Sequence, residues 1–203
     1  MNKNPYKRPD RFTVAAKEQG YEARSVFKLS DIQDKTKILR PGDRVVDLGC
    51  FPGSWSRYAL ERIGPKGKLV GVDLEAPTLG GGVFLARSVY DVTPEELREL
   101  LGGPADVVLS DMAPKTSGIA DRDHYVQMDL VRRALEIAEA LLAPGGRFVA
   151  KIFDGEETKS FHDAARVRFD EVKRVRPEAV RKVSREFFWV GLGYSAPSGP
   201  LEG

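Results

Sequence analysis

Apolar and polar positions along this chain follow two periods in turn. Short, nearly continuous apolar runs mark strands covered on both faces. They fall at 43–48 (DRVVDL), 68–73 (KLVGVD), 83–86, 105–110 (ADVVLS) and 147–152 (RFVAKI). Helical spacing fills the gaps, first in SWSRYALERI at 54–63. It continues at 94–101 and 124–142, where Val126, Leu130, Val131, Leu135, Ile137, Ala138 and Leu141 form one apolar face. Val26, Phe27, Leu29 and Ile32 predict a short amphipathic helix within 22–34. Pro41-Gly42, Gly64-Pro65-Lys66-Gly67 and Pro144-Gly145-Gly146 supply the breaks. Thr93, Pro94 and Glu96 together make a helix start. A helix at 158–169 and strands at 171–176 and 186–194 complete the pattern.

Strands alternating with helices imply an α/β fold with right-handed crossovers. The expectation is a seven-stranded, mostly parallel sheet with helices on both faces. Residues 177–185 are too short and basic for a crossover, so the last strand is expected antiparallel, in a hairpin-like ending. No internal repeat is visible, and 203 residues suit one domain. The expected organisation is a flexible basic arm or loosely docked helix at 1–20, one domain at 21–194, and a disordered tail at 195–203.

Charge changes this picture. The net charge is only +2, from 32 Lys plus Arg against 30 Asp plus Glu. Residues 1–40 nevertheless carry +5, residues 166–185 another +5, and the remainder −8. Two basic ends around an acidic middle suggest a polyanionic partner. The single cysteine, Cys50, excludes an intrachain disulfide and a cysteine-rich metal knuckle, and no metal site is expected. The start, MNKNPYKRPD, lacks the apolar stretch of a secretory signal, and no apolar run is long enough to span a bilayer. A cytoplasmic protein with no membrane partner is the expectation, and a monomer.

The chemistry gathers at strand ends. Asp47 to Trp55 reads DLGCFPGSW, between the first strand and a helix. Gly49 and Gly53 would let backbone approach a ligand closely. The segment is neither GxGxxG nor GxxxxGK[ST], which disfavours a dehydrogenase and a nucleotide-phosphate site. Asp73 closes the second strand, where an acid can accept bonds from ribose hydroxyls. Asp47 could orient the glycine loop or meet a ligand amino group, and Trp55 could stack on a cofactor or cover the sheet. An adenosine-type pocket is the reading these residues favour. Asp111, just past the fourth strand, faces the same crevice. Lys151 lies inside an apolar strand pattern, and Lys28 repeats the anomaly within SVFKL. A buried ammonium needs a partner. Asp111 and Glu186, at the start of the final strand, are candidates.

In these motifs the chain resembles the FtsJ-type ribose 2'-O-methyltransferases. YEARSVFKL, DLGCFPGSWSRY, VGVD, LSDMAP, LLAPGGRFVAKIFDG and SREFFWVGLGY occur in the family's order across roughly 20–194. The resemblance implies a Rossmann-like fold and S-adenosylmethionine as cofactor. It implies methylation of a uridine ribose in large-subunit ribosomal RNA, probed through a Lys, Asp, Lys, Glu set. That set maps onto Lys28, Asp111, Lys151 and Glu186. Asp47, Gly49, Gly53, Trp55, Asp73 and Asp111 would hold the cofactor. Two departures stand out. CFPGS replaces the frequent AAPGG at 50–54, and the position of an adenine-side acid holds Val89, with Asp91 two residues later as the substitute candidate.

The resemblance makes Lys151 the group that accepts or directs the 2'-hydroxyl proton, or stabilises the developing oxyanion. Asp111 would orient it; Lys28 and Glu186 would position the hydroxyl. Lys3, Lys7, Arg8, Arg11, Lys17 and Arg24 could contact phosphate. Lys173, Arg174, Arg176, Arg181, Lys182 and Arg185 could extend that surface. Tyr21 and Phe27 could stack on a base. Transfer RNA or an RNA cap are alternative substrates. A non-catalytic RNA-binding protein of ribosome assembly is the alternative from another class, opposed by the intact polar set.

Overall fold

The computed structural model describes residues 11–114, 120–181 and 183–196. The expected tail from 197 onward, and Lys3, Lys7, Arg8 and Lys182, lie outside the described residues. The elements run α1 (Arg11–Glu18), α2 (Val26–Thr36), β1 (Arg44–Leu48), α3 (Ser54–Ile63), β2 (Lys68–Asp73) and β3 (Val83–Ala86). Then follow α4 (Pro94–Leu101), β4 (Ala105–Ser110), α5 (Ala120–Leu141), β5 (Leu142–Phe153), α6 (Thr158–Ala165), β6 (Phe169–Val175) and β7 (Glu186–Tyr194).

One seven-stranded sheet has the order β3-β2-β1-β4-β5-β7-β6. All pairs from β3 through β5 are parallel, and β7 runs antiparallel to both β5 and β6. The sequence pattern anticipated the antiparallel β6–β7 pair. It did not anticipate that β7 slots between β5 and β6. The α6 crossover carries β6 to the sheet edge, and the short 176–185 connection returns the chain into the gap.

Two cores flank the sheet. Val46, Val108, Phe148, Ala150 and Ile152 face α4, α5 and α6. Val45, Val107, Leu109, Val149, Phe188 and Val190 face α1, α2 and α3. The alternation is that of a strand with both faces covered. Strand and helix limits mostly follow the sequence pattern, and Thr93 caps α4 by accepting the Glu96 amide (3.2 Å). Three differences have local causes. α2 begins four residues later than predicted, because Tyr21–Ser25 are tied elsewhere. The Ala23 amide donates to Ser54 Oγ (2.8 Å), and Trp55 Nε1 donates to Ser25 O (2.8 Å). Within the segment expected as an arm or loosely docked helix, residues 11–18 form α1, with Ala16 in the second core. β5 starts at Leu142, earlier than predicted, across an irregular register against β4 near Ala105 and Val107.

Candidate active site

The strand order reverses between β1 and β4, which opens a crevice beyond the carboxyl ends of the parallel strands. Period-two alternation decides which side chains reach it on the α2 side. Asp111 lies two residues after Leu109, Lys151 two after Val149, and Glu186 two before Phe188. All three therefore share the face that α2 covers. Lys151 stands opposite Phe188 in the β5–β7 register, and Glu186 opposite Phe153.

The four polar residues form two ion pairs. Lys151 Nζ donates to the Asp111 carbonyl oxygen (2.6 Å) and sits 3.1 Å from its Oδ1. Lys28 Nζ lies 2.6 Å from Glu186 Oε1 and 5.8 Å from the Phe188 ring centroid. Phe188 thus stands between the pairs, with Lys151 beside it in register and Lys28 over its ring. All four side chains are mostly buried, so each charge needs its partner. Neither Asp111 Oδ1 nor Glu186 Oε1 receives a hydrogen bond of good geometry. Both keep acceptor capacity for a substrate hydroxyl.

The glycine loop is built on the neighbouring strand. Gly49 adopts φ +83° and donates its amide to Val72 O (2.8 Å), pinning β1 to β2. A Cβ at Gly49 would stand 2.9 Å from Met112 Cγ and backbone N, so the loop admits no side chain there. Gly53 caps α3 at φ +114°. Asp73 Oδ2 accepts the Phe51 amide (2.9 Å), and its Oδ1 accepts the Leu74 amide (2.6 Å). Each oxygen retains a lone pair for another donor. Phe51, where the chain departs from the family pattern, is 47 % exposed.

Asp47 is fully buried on β1. Ser56 donates to its Oδ2 (2.6 Å), while Oδ1 has no partner. Burial pushes its pKa up to about 7; the Ser56 bond opposes this, and the charges of Asp111 and Asp73 add to it. Three carboxyl groups thus converge on the glycine loop. The site suits a positively charged ligand.

Not every sequence candidate lies in this crevice. Trp55 covers the sheet: it is 3 % exposed, and its ring lies 5.5 Å from that of Phe188. Val89 points into the first core. Asp91 is exposed in a turn closed by its amide on Ser88 O (3.0 Å). Tyr21 donates to Glu61 (2.7 Å) and carries Arg57 over its ring, and Phe27 packs against Phe12. Burial and the Glu61 bond raise the Tyr21 pKa to about 12.

Two buried polar residues escaped the sequence reading. Gln127 on α5 is 1 % exposed, and its Nε2 donates to both Met112 O (3.2 Å) and Lys151 O (2.8 Å). One amide thereby ties the segment after Asp111 to the strand bearing Lys151. His124 accepts the Glu157 amide at Nε2 (3.1 Å), which leaves Nδ1–H to donate to Phe153 O (3.0 Å). The signal available was weak: both sit at inward positions of an amphipathic helix, where apolar residues are the rule.

A reversing α/β sheet, a glycine loop beneath converging acids, and paired lysines and carboxylates beside it define a Rossmann-like methyltransferase. The FtsJ-like methyltransferase model matches residues 21–194. The chain is 52 % identical over 193 residues to "Ribosomal RNA large subunit methyltransferase E" of Sorangium cellulosum, covering 94 % of this chain and 90 % of the relative. It is 41 % identical over 200 residues to the protein of that name in Myxococcus xanthus, covering 97 % and 94 %. A solved ribosomal RNA methyltransferase structure from Plasmodium falciparum superposes with TM-score 0.77 at 24 % identity, over 86 % of this chain and 98 % of that one. This chain belongs to the FtsJ-like methyltransferase family.

Proposed function

We propose that this chain methylates a ribose 2'-hydroxyl, that of a uridine in large-subunit ribosomal RNA, with S-adenosylmethionine as donor. The observation that carries the reading is the placement of the Lys151–Asp111 and Lys28–Glu186 pairs on one sheet face, beside the glycine loop. The names of the relatives support ribosomal RNA as substrate.

The donor fits the residues present. It is cationic, and Asp47, Asp73 and Asp111 converge where it would lie. Gly49, at φ +83° and packed against Met112, keeps the loop backbone itself, and no side chain, at this end of the crevice. Asp73 would accept bonds from the donor's ribose hydroxyls, and Asp47 Oδ1 would accept from a donor N–H. The donor supplies an electrophilic sulfonium methyl when bound. The chain's task is alignment and removal of one proton. Lys151, held by two oxygens of Asp111, would hold the attacking ribose oxygen and direct its proton away. Lys28 and Glu186 would fix the ribose from the α2 side. The exposed basic residues would hold the RNA, and a cytoplasmic location follows from this substrate. Asp91, exposed in the turn that follows β3, remains the adenine-side proposal.

Methyl-label transfer to isolated large ribosomal subunits, followed by nucleotide mapping, tests this reading. A ribose-linked methyl on a uridine is expected. A base-linked methyl, or no transfer to RNA, contradicts it.

A further inference from the structure

A cavity lies on the α6 side of the sheet, across from the face that carries Lys151. It encloses about 490 Å³ between α6, β6, β7 and the end of β5, a volume within the range of ligand sites. Its floor is aromatic. Phe187 and Trp189 lie two residues apart on β7 in the first core, and Arg174 stands opposite Trp189 in the β6–β7 register. The Arg174 guanidinium lies over the Phe187 ring, 3.8 Å from its centroid, and Nη2 donates to Asp154 Oδ2 (2.6 Å). Ring and carboxylate together fix the guanidinium at the cavity wall. Polar edges surround this floor. Trp189 Nε1 donates to His162 Nδ1 (3.1 Å), so the neutral imidazole carries its proton on Nε2. Thr158 Oγ1 accepts the Gly155 amide (3.0 Å), which leaves its hydroxyl proton to donate.

The cavity adjoins the strand ends that carry the ion pairs. Asp154 follows Lys151 by three residues, about 10 Å of strand. Its amide donates to Arg185 O (3.0 Å), and Phe187 is the residue after Glu186. The same two strands thus present the ion pairs on one face and the cavity on the other. The chemistry of the cavity selects its occupant. Arg174 is already neutralised by Asp154, and the electron-rich faces of aromatic rings repel an anion, so a phosphate fits poorly. A planar group with donor and acceptor edges fits well. Its face would lie on the guanidinium and the aromatic floor. Its edge would meet the His162 and Thr158 donors and the Asp154 acceptor. Nucleobases have this form, and single-stranded RNA is held by stacking of unstacked bases on aromatic rings and Arg planes.

We infer that this cavity takes up a nucleobase of the RNA substrate that flanks the methylated nucleotide. The inference rests on the ribose-methylation reading. It adds a base-holding subsite on the opposite face of the sheet, in which Arg174 serves as a stacking plane and His162 as an edge donor.

The test compares binding of a fluorescein-labelled single-stranded fragment of large-subunit ribosomal RNA with that of an abasic ribose-phosphate oligomer of the same length and charge. The parent is expected to hold the base-bearing strand about tenfold more tightly. Arg174→Ala should erase most of that preference. Arg174→Lys should erase it too while keeping the parent's salt dependence, because an ammonium keeps the charge and loses the plane. Val172→Phe fills the cavity from β6 and removes no charge. It should lose the preference with abasic binding unchanged, and it decides the matter if Arg174→Ala fails to fold. Calorimetry should show donor affinity unchanged in all three. Equal losses on both oligomers would make Arg174 a phosphate contact and overturn the inference. A parent that methylates large-subunit RNA yet holds both oligomers equally overturns the base subsite alone. If Val172→Phe in that case loses affinity for whole large subunits, the cavity belongs to a ribosomal protein instead. A parent that neither methylates RNA nor prefers the base-bearing strand overturns the subsite together with the reading beneath it.

Discussion

Asp47 shows how burial alters the chemistry of a single residue beside the glycine loop. Its carboxyl is fully buried and titrates near 7, whereas an unfolded aspartate titrates near 3.9. Ionisation is thus harder in the folded chain. The favourable contribution is complete below about pH 4 and is lost as pH rises to about 7. Asp47→Asn removes this dependence while keeping an acceptor for Ser56. Relative to the parent, the variant should gain about 3 kcal/mol of stability between pH 5 and pH 8. Urea unfolding at the two pH values measures this, and parallel pH dependence in both proteins would refute it. The sequence showed an acid at a strand end. It could not show the depth of burial, which depends on Ser56 arriving from α3.

At the level of elements, periodicity was informative wherever a face was continuously apolar. It found every strand, and it flagged Lys28 and Lys151 because they interrupt that pattern. It missed Gln127, a neutral amide that breaks a helical stripe without announcing a charge. Gln127→Leu should lower kcat for methyl transfer severalfold and leave donor affinity nearly unchanged. It leaves two carbonyl oxygens without this donor, at about 1–3 kcal/mol of stability. Steady-state kinetics beside thermal melts will separate the two effects; an unchanged kcat would remove Gln127 from the positioning of Lys151. Arg147 was hidden for a related reason. It opened a predicted strand, where a charged residue usually meets solvent. In the fold it is buried, donating to Ile38 O (2.8 Å) and pairing with Asp43 (2.9 Å). Arg147→Met strands the Asp43 carboxylate and should cost about 3 kcal/mol in urea unfolding, with the loss relieved by adding Asp43→Asn. A loss within experimental error would show the pair to be dispensable.

For the whole molecule, the alternation of strands and helices implied the sheet and its two covered faces. The insertion of β7 was not legible, because pairing across a gap left by a crossover is a tertiary choice. That choice matters for the site: it puts Glu186 on the crevice and carries Ala179 onto Arg24. The small net charge of +2 concealed two basic regions, and the fold brings Arg24 and the 176–185 connection together.

On the proposed function, the Lys151–Asp111 pair performs the proton and alignment work of ribose methylation. Single-turnover methyl transfer to large ribosomal subunits, with the parent and Lys151→Ala compared at saturating donor, tests it most directly. The parent should place a ribose-linked methyl on one uridine. The variant should bind the donor with the parent's affinity and transfer at least about a hundredfold more slowly. Transfer by Lys151→Ala at the parent's rate would contradict the claim.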